Sequence, residues 1–389
     1  MEYRRFGKTG LDLPVISCGG MRFQHGWNVT EPIPAESDQN VETCVRRALE
    51  LGVNHIETAR GYGSSEEQLG KVLPKLKRDS YVLQTKVEPL MDVPRFVDDF
   101  EKSMSLLKAD YLDLFSMHGI NDQASLDASE ACMETALRWK AEGRIRHIGF
   151  ATHGPVDILL KAVKTGAFEY INLHYYYIFQ DNAPVIEEAT RRGMGVFIIS
   201  PNDKGGMLYQ PTPKMMELCA PLHPMVFNGL FCLSHPAIHT LSCGVSKASD
   251  FDAHMETATL SGKATESISP ILPKLQSAME EALGVAWTKT WAQGLPAWHE
   301  TPGHINIPWI LRLYNLAKAF DMVEFGKMRY NLLGNAGTWF PGKQAGEVAS
   351  LDLSECLKNS PHASVIPEIL KDSHALLAGE ERKRLTQSE

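Results

Sequence analysis

The chain lacks most of the features that mark membrane, secreted and nucleic-acid-binding proteins. None of its 389 residues falls in an apolar run of 18 or more, so no segment reads as a membrane span. The N-terminal Met1-Glu2-Tyr3-Arg4-Arg5-Phe6-Gly7 has basic residues but no apolar stretch after them, and no secretory signal is expected. Basic residues are not in excess. A net charge of -8 and a pI near 6.0 exclude nucleic acid as the main partner, because neutralising phosphates needs a basic face. The seven cysteines are odd in number, scattered and without a Cys-x-x-Cys pair. Reduced thiols in a cytoplasmic protein are expected rather than a disulfide framework. No Gly-x-Gly-x-x-Gly follows the first strand candidate, and Gly61-x-Gly63 lacks the third glycine, which argues against a doubly wound dinucleotide fold.

What remains is an ordinary globular composition, 43% apolar and 22% charged, in a chain long enough for one large domain and a smaller one. Short apolar runs at 14–19, 54–58, 81–86, 111–117, 145–150, 169–174, 194–199 and 239–244 read as strands. Helical spacing appears near 38–51, 65–76, 94–107, 127–142, 155–165, 182–192, 222–232 and 249–259. In the third of these, Val97, Phe100, Met104 and Leu107 recur at three- and four-residue steps. Several strands are apolar throughout, as strands covered on both faces are. Eight such units predict an α/β fold of the (β/α)₈ barrel type over residues 1–262. Residues 263–389 have no strand pattern and read as a separate helical domain. In it, a long helix is expected from about 308 to 331 and two more helical segments after Phe340-Pro341-Gly342.

Three successive strands deliver titratable groups at their C-terminal ends, where barrel chemistry sits. Glu57 and Tyr62 follow the second strand, Lys86 ends the third and His118 ends the fourth. A tyrosine phenol titrates near 10, too high for acid–base work at neutrality. A nearby ammonium favours the phenolate. Lys86 supplies that charge, Glu57 keeps it charged and aimed, and His118 at the rim hydrogen-bonds a substrate oxygen. Together they polarise a carbonyl and protonate it as it becomes an alkoxide. The hydride has to come from elsewhere, and a nicotinamide is the usual source. Each residue alone has a plainer reading: Lys86 paired with Glu57 as a buried ion pair, His118 as a core histidine, Tyr62 as a packed aromatic. Three neighbouring strand ends carrying such groups together favour an active site.

Glu57-Thr58-Ala59-Arg60-Gly61-Tyr62-Gly63-Ser64-Ser65-Glu66 is similar to the Asp-Thr-Ala-x-x-Tyr-Gly-x-Ser-Glu signature of the aldo/keto reductase superfamily. The resemblance covers roughly the first 260 residues. The opening Tyr3-Arg4-Arg5-Phe6-Gly7-Lys8-Thr9-Gly10-Leu11 resembles the family's N-terminal hairpin at the barrel bottom. Lys86 and His118 fall where the family carries its catalytic lysine and histidine. The resemblance implies NAD(P)H-dependent reduction of an aldehyde or ketone, a small-molecule carbonyl substrate. One departure is that Glu57 stands where the family has aspartate. A nicotinamide-nucleotide-binding or redox-sensing protein with little turnover is the alternative reading.

The resemblance also implies cofactor contacts. Gly20 and Met21 lie in the loop approaching the nicotinamide. Thr152 and Asn172 take the positions that hold its carboxamide. Ser200, Asn202, Lys204 and Gly206 belong to the loop under the pyrophosphate. Gly244, Ser246 and Lys247 belong to the adenosine-phosphate loop. There, Lys247 attracts a ribose 2′-phosphate and Asp250 repels one, so NADP is slightly favoured and NAD is possible. The last third, through Gly303-His304-Ile305-Asn306-Ile307-Pro308 and Arg312-Leu313-Tyr314-Asn315-Leu316-Ala317, resembles a subgroup of these reductases with a ferredoxin-like [4Fe–4S] module. Its eight ligand positions correspond to Trp291, Gly294, Ala297, Thr301, Ser350, Leu353, Cys356 and Ser360. One thiolate in eight holds no cluster, so a cluster-free domain with no metal is expected, with Trp291 and Trp298 as candidate fillers. His223, His235 and His239 are read as ordinary histidines. Tyr175, Tyr176 and Tyr177 either line a substrate mouth or pack.

Overall fold

Short apolar strands alternating with one-sided helices close on themselves here, each strand covered by the helix that follows it. The computed structural model describes residues 1–23, 25–27 and 32–379. A hairpin comes first, with β1 (Tyr3–Arg5) antiparallel to β2 (Asp12–Pro14). The barrel strands are β3 (Ile16–Gly19), β4 (His55–Glu57), β5 (Val82–Val87), β6 (Leu112–His118), β7 (Ile145–Ala151), β8 (Tyr170–Leu173), β9 (Gly195–Ile198) and β10 (Thr240–Gly244). They pair in parallel in chain order, and β10 closes against β3. This is the expected (β/α)₈ barrel, with each strand on its predicted segment.

The surrounding helices are α1 (Ala35–Glu50), α2 (Ser65–Val72), α3 (Val93–Leu107), α4 (Gln123–Ala141), α5 (Val156–Lys164), α6 (Ala183–Arg191), α8 (Pro224–Ser234) and α9 (Phe251–Leu260); between α6 and α8 comes α7 (Pro213–Cys219). In α3 the Asp92 carboxylate caps the first turn by accepting from the Arg95 N–H, satisfying an otherwise orphaned donor. The buried stripe of α3 is Phe96, Phe100, Ser103, Met104 and Leu107. Trp139 from α4 stacks on Phe100 at 3.7 Å between ring centroids.

The barrel bottom is plugged by Phe6, fully buried against Tyr170, Leu13, Leu114 and Phe197. Only glycine fits opposite it: a Cβ on Gly195 would lie 2.7 Å from the Phe6 ring. Inside the barrel runs a chain of buried polar groups. The Ser17 hydroxyl meets Thr240 Oγ1 and His55 Nδ1, each at 2.7 Å. His55 Nε2 meets Gln84 Oε1 at 3.0 Å, Gln84 donates to Ser116 Oγ, and Ser116 meets the Tyr170 hydroxyl. Each group is satisfied by the next, as buried polar groups require.

The chain forms two compact units. One holds Met1–Gly205 and Met225–Ser267; the other holds Gly206–Pro224 and the described chain from Ile268 onward. The expected boundary between 262 and 263 falls within the 3-10 turn Ser261–Lys263. The excursion Gly206–Pro224, which includes α7, was not foreseen. Within its unit, Thr212 Oγ1 donates to the Phe320 carbonyl at 2.8 Å and Lys274 Nζ to the Ala220 carbonyl at 3.0 Å.

The remaining helices are α10 (Ala264–Ile268), α11 (Leu272–Leu283), α12 (Val285–Thr290), α13 (Ile307–Phe320), α14 (Val323–Tyr330) and α15 (Ile366–Leu377). The single helix expected from 308 to 331 is two helices, because Asp321 takes the left-handed conformation (φ 56°) and ends α13. The expected fillers Trp291 and Trp298 are only partly buried. Trp287 is the buried tryptophan of this region, and its Nε1–H donates to Asn315 Oδ1 at 2.8 Å. Residues 380–389 of the expected C-terminal domain lie outside the described residues.

Candidate active site

The ends of β4, β5 and β6 bring Glu57, Lys86 and His118 to one rim, and the turn after β4 adds Tyr62. That turn is closed by the Tyr62 N–H donating to the Ala59 carbonyl and the Ser65 N–H to the Tyr62 carbonyl, both at 3.0 Å. Glu66 pins it to β5: fully buried, it accepts from Thr85 Oγ1 at 2.7 Å and pairs with Arg60 at 2.5 Å.

Lys86 is 1% exposed and Glu57 3%, so their charges meet in a low-dielectric setting. The ammonium pairs with Glu57 Oε2, donates to the Thr58 carbonyl at 2.8 Å and lies 3.5 Å from the Tyr62 hydroxyl. Burial alone depresses a lysine, but the Glu57 carboxylate, helped by Tyr62, outweighs it and holds Lys86 above its usual range. The second carboxylate oxygen of Glu57 accepts from Ser242 Oγ at 2.7 Å. Ser242, from β10, is a residue that sequence reasoning missed. It anchors the longer acid, and Gly19 makes room for it, since a Cβ there would sit 2.7 Å from Ser242 Oγ.

His118 packs edge-on to Tyr62, with ring centroids 5.8 Å apart. Burial, then the Lys86 and Lys204 charges, push its imidazolium down to about 3, so near neutrality it is a neutral ring with one N–H to offer. Three further histidines titrate low chiefly through burial: His55 at about 3, His239 and His254 at about 4. In the unfolded chain all four bind protons as pH falls through the ordinary value of 6.5. The folded chain does not until pH reaches about 3–4, so acidification across that interval favours unfolding. Lys86 works oppositely: its contribution is complete below the ordinary lysine value and is lost as pH rises past its elevated folded one. Urea-unfolding midpoints are therefore expected to fall steadily from pH 7 to pH 4. A midpoint unchanged across that interval would contradict the buried, neutral histidines.

The expected cofactor residues divide. Asn172, at the end of β8, is fully buried, and neither its amide nitrogen nor its amide oxygen has a hydrogen-bond partner. A buried orphan amide is costly and is what a ligand carboxamide would satisfy. Thr152 differs from expectation in one respect: its hydroxyl proton already goes to the Ile120 carbonyl at 2.6 Å, so it has only lone pairs to offer. Gly20, within the 3-10 turn Gly20–Phe23, accepts from Ser65 Oγ at 2.8 Å, and Met21 follows it.

In the loop after β9, Ser200 is left-handed (φ 51°) and Asn202 is buried beside His254. Lys204 turns to His153 Nδ1 at 3.2 Å, and Gly206 is counted in the second compact unit. After β10, Gly244 accepts weakly from Arg22 Nη1 at 3.4 Å. Asp250 is the residue expected to repel a ribose 2′-phosphate. Its carboxylate is turned into the loop, accepting from the Ser246 N–H and hydroxyl and the Lys247 N–H, with Arg22 3.8 Å away. Arg22, Ser246, Lys247, His25 and Asn40 line a cavity of about 330 Å³.

Among the described residues no group of three His, Cys, Asp or Glu side chains is placed to hold a metal ion. Of the eight ligand-equivalent positions, Cys356 alone is a thiol, and its Sγ contacts the Leu353 carbonyl. His239 Nδ1 accepts from the Val196 N–H, a core histidine as read. Tyr175 and Tyr177 pack on Phe231, whereas the Tyr176 hydroxyl meets His174 Nδ1 at 2.5 Å.

A profile of the Aldo/keto reductase family matches residues 15–216, half of the chain. The chain belongs to the aldo/keto reductase family. It is 30% identical over 229 residues to L-galactose dehydrogenase of Arabidopsis thaliana, covering 55% of this chain and 69% of that one. It is 25% identical over 308 residues to the uncharacterized oxidoreductase YqkF of Bacillus subtilis, covering 70% of this chain and 95% of that one. Among solved structures, aldo-keto reductase AKR11C1 from Bacillus halodurans superimposes with a TM-score of 0.56 at 21% identity, over 70% of this chain and 96% of that one. That likeness speaks to the fold. As a member of the family the chain is an oxidoreductase.

Proposed function

We propose that the protein is an NAD(P)H-dependent reductase of aldehydes or ketones, with Tyr62, Lys86, Glu57 and His118 as its catalytic groups. The observation that carries this reading is the contact of Lys86 with both Glu57 and Tyr62, beside a neutral His118. His118 donates to the carbonyl oxygen and orients it. Tyr62 donates its proton to that oxygen as negative charge develops there. The Lys86 ammonium stabilises the phenolate left behind. Glu57, held by Ser242, keeps the ammonium charged and in place. When bound, a reduced nicotinamide supplies the hydride.

Asn172 is the residue that best fits the nicotinamide carboxamide, because both of its orphaned amide atoms match a primary amide. Gly20, Met21 and Thr152 border the same rim. Lys204 and the glycines after it belong to the loop read as approaching the pyrophosphate. We favour NADP over NAD. Lys247 and Arg22 line the cavity beside Ser246 while Asp250 is engaged within its own loop. The barrel residues carry the chemistry, and the C-terminal helices form a cluster-free domain. Seven free thiols fit a cytoplasmic setting.

The test is NADPH oxidation with a panel of aldehydes, run alongside a cofactor-binding titration. Turnover with micromolar cofactor binding supports the reading. Tight binding without turnover on any carbonyl would favour the nucleotide-binding alternative. Asn172→Leu is expected to weaken cofactor binding by about tenfold, read by nicotinamide fluorescence. An unchanged affinity would remove Asn172 from the cofactor site.

A further inference from the structure

Glu57 is held at both of its carboxylate oxygens, and the second hold crosses a whole strand. Gly19 at the end of β3 pairs in register with Glu57 on β4, and Gly244 of β10 pairs with Gly19 from the other side. Ser242 stands two residues before Gly244, so β3 lies between it and Glu57. The Glu57 side chain reaches over Gly19, and its Oε1 accepts from Ser242 Oγ at 2.7 Å. A Cβ on Gly19 would stand 2.7 Å from Ser242 Oγ and 3.2 Å from Glu57 Oε1. The space left by the absent side chain is what the carboxylate and the hydroxyl share. All three residues are buried.

A lysine alone does not fix a carboxylate. The last torsion of a glutamate is broad and roughly two-fold, so an acid held at one oxygen still swings. Ser242 fixes the other oxygen, and the plane of the carboxylate with it. Once Oε1 is released, the cation within its reach is the Lys86 ammonium already paired with Oε2. A grip by both oxygens draws that ammonium away from the Tyr62 hydroxyl, 3.5 Å off. Lys86 and the neutral His118 ring both face Tyr62, and Glu57 acts on it through Lys86. The phenol then loses part of the positive field that favours its phenolate. Aspartate fails differently. It is shorter by one carbon–carbon bond, about 1.5 Å, and from the same backbone it does not reach Ser242 and Lys86 together.

We propose that Ser242 is a positioning residue for the reaction, fitted together with Gly19 to the length of Glu57, so that glutamate serves this site better than the shorter aspartate. This deepens the reductase reading and rests on it for the word reaction, but the action of Ser242 on Tyr62 can be measured without turnover.

Ser242→Ala, Glu57→Asp and the double variant are assayed for NADPH-dependent aldehyde reduction beside thermal melts. Each single change is expected to lower kcat by about tenfold or more, with KM kept within about twofold. Because both break the same contact, the losses do not multiply, and the double variant is expected within about threefold of the slower single one. In parallel, proteins carrying tyrosine labelled with carbon-13 at Cζ are titrated by NMR, the Tyr62 signal being assigned by its absence from Tyr62→Phe. The Tyr62 phenol is expected to titrate about half a unit or more higher in Ser242→Ala than in wild type. A purely structural loss would not move it in that way.

Slower turnover with KM kept, together with a raised phenol pKa, supports the proposal. Three results would overturn it. One is a Tyr62 phenol that titrates in Ser242→Ala as it does in wild type. Another is Glu57→Asp turning over as fast as wild type or faster. The third is a double variant in which the two losses multiply. If the wild type reduces no carbonyl, the reductase reading fails and the phenol titration alone decides the positioning role. If Ser242→Ala does not fold, Glu57→Asp, which keeps every charge, decides it through kcat.

Discussion

Tyr62→Phe is expected to lower kcat/KM for aldehyde reduction by about 10²–10⁴-fold while leaving cofactor affinity within about twofold. The phenol is placed to give up a proton between the Lys86 ammonium, 3.5 Å away, and the His118 ring. Phenylalanine keeps the ring, and so the edge contact with His118, and removes only the acidic oxygen. His118 does not substitute as the acid, because its imidazolium is held down to about 3 and is scarcely populated near pH 7. Steady-state rates across aldehyde concentrations below and above KM, set beside a nicotinamide-fluorescence titration, check this. A phenylalanine variant that keeps more than a tenth of wild-type kcat/KM would move the proton donor elsewhere.

Lys86→Met is expected to cost both activity and stability, and the two losses can be separated. Glu57 is almost wholly buried, with the Ser242 hydroxyl and the Lys86 ammonium on its two oxygens. Removing the ammonium leaves a buried carboxylate without its cation, a loss of about 3–5 kcal/mol. Adding Glu57→Gln removes the stranded charge and preserves an oxygen for Ser242. The double variant is therefore expected to recover most of the thermal stability of wild type while remaining inactive, since nothing then stabilises the Tyr62 phenolate. Thermal melts of both variants beside the aldehyde assay check this. Renewed activity in the double variant would show that Lys86 serves the fold and not the reaction.

The barrel was legible in the sequence because its signals are local. Short, nearly continuous apolar runs mark the strands and period-3.6 patterns the helices, and strand ends expose their polar residues in order. The rim residues Glu57, Lys86 and His118 could thus be picked out from position alone. Ser242 could not, because its meeting with Glu57 joins residues 185 apart and depends on the barrel closing. The hydrogen bonds of Asp250 were not legible for a related reason. A charge read along the sequence carries no direction, and this one turns inward to cap its own loop. The break in the helix expected from 308 to 331 was missed because Asp321 adopts a left-handed backbone that its residue type permits but does not demand. Gly206–Pro224 also defeated local reading, since its companions lie more than 50 residues further on.

The Ser242–Glu57 hydrogen bond reaches over Gly19, so it bridges the seam where the last strand of the barrel docks against the first. The contacts of the Lys86 ammonium with Glu57, the Thr58 carbonyl and Tyr62 all involve residues made early in the chain. The second carboxylate oxygen of Glu57 gains its partner only after residue 242 has arrived. Catalytic competence thus acts as a seal of completion, present once the ring of strands is whole. In a chain stalled before its final strand, the ammonium, phenol and acid would already be near one another, but the acid would lack its second anchor. Recovery of activity during refolding would accordingly trail the recovery of helical signal, marking the moment the ring is joined.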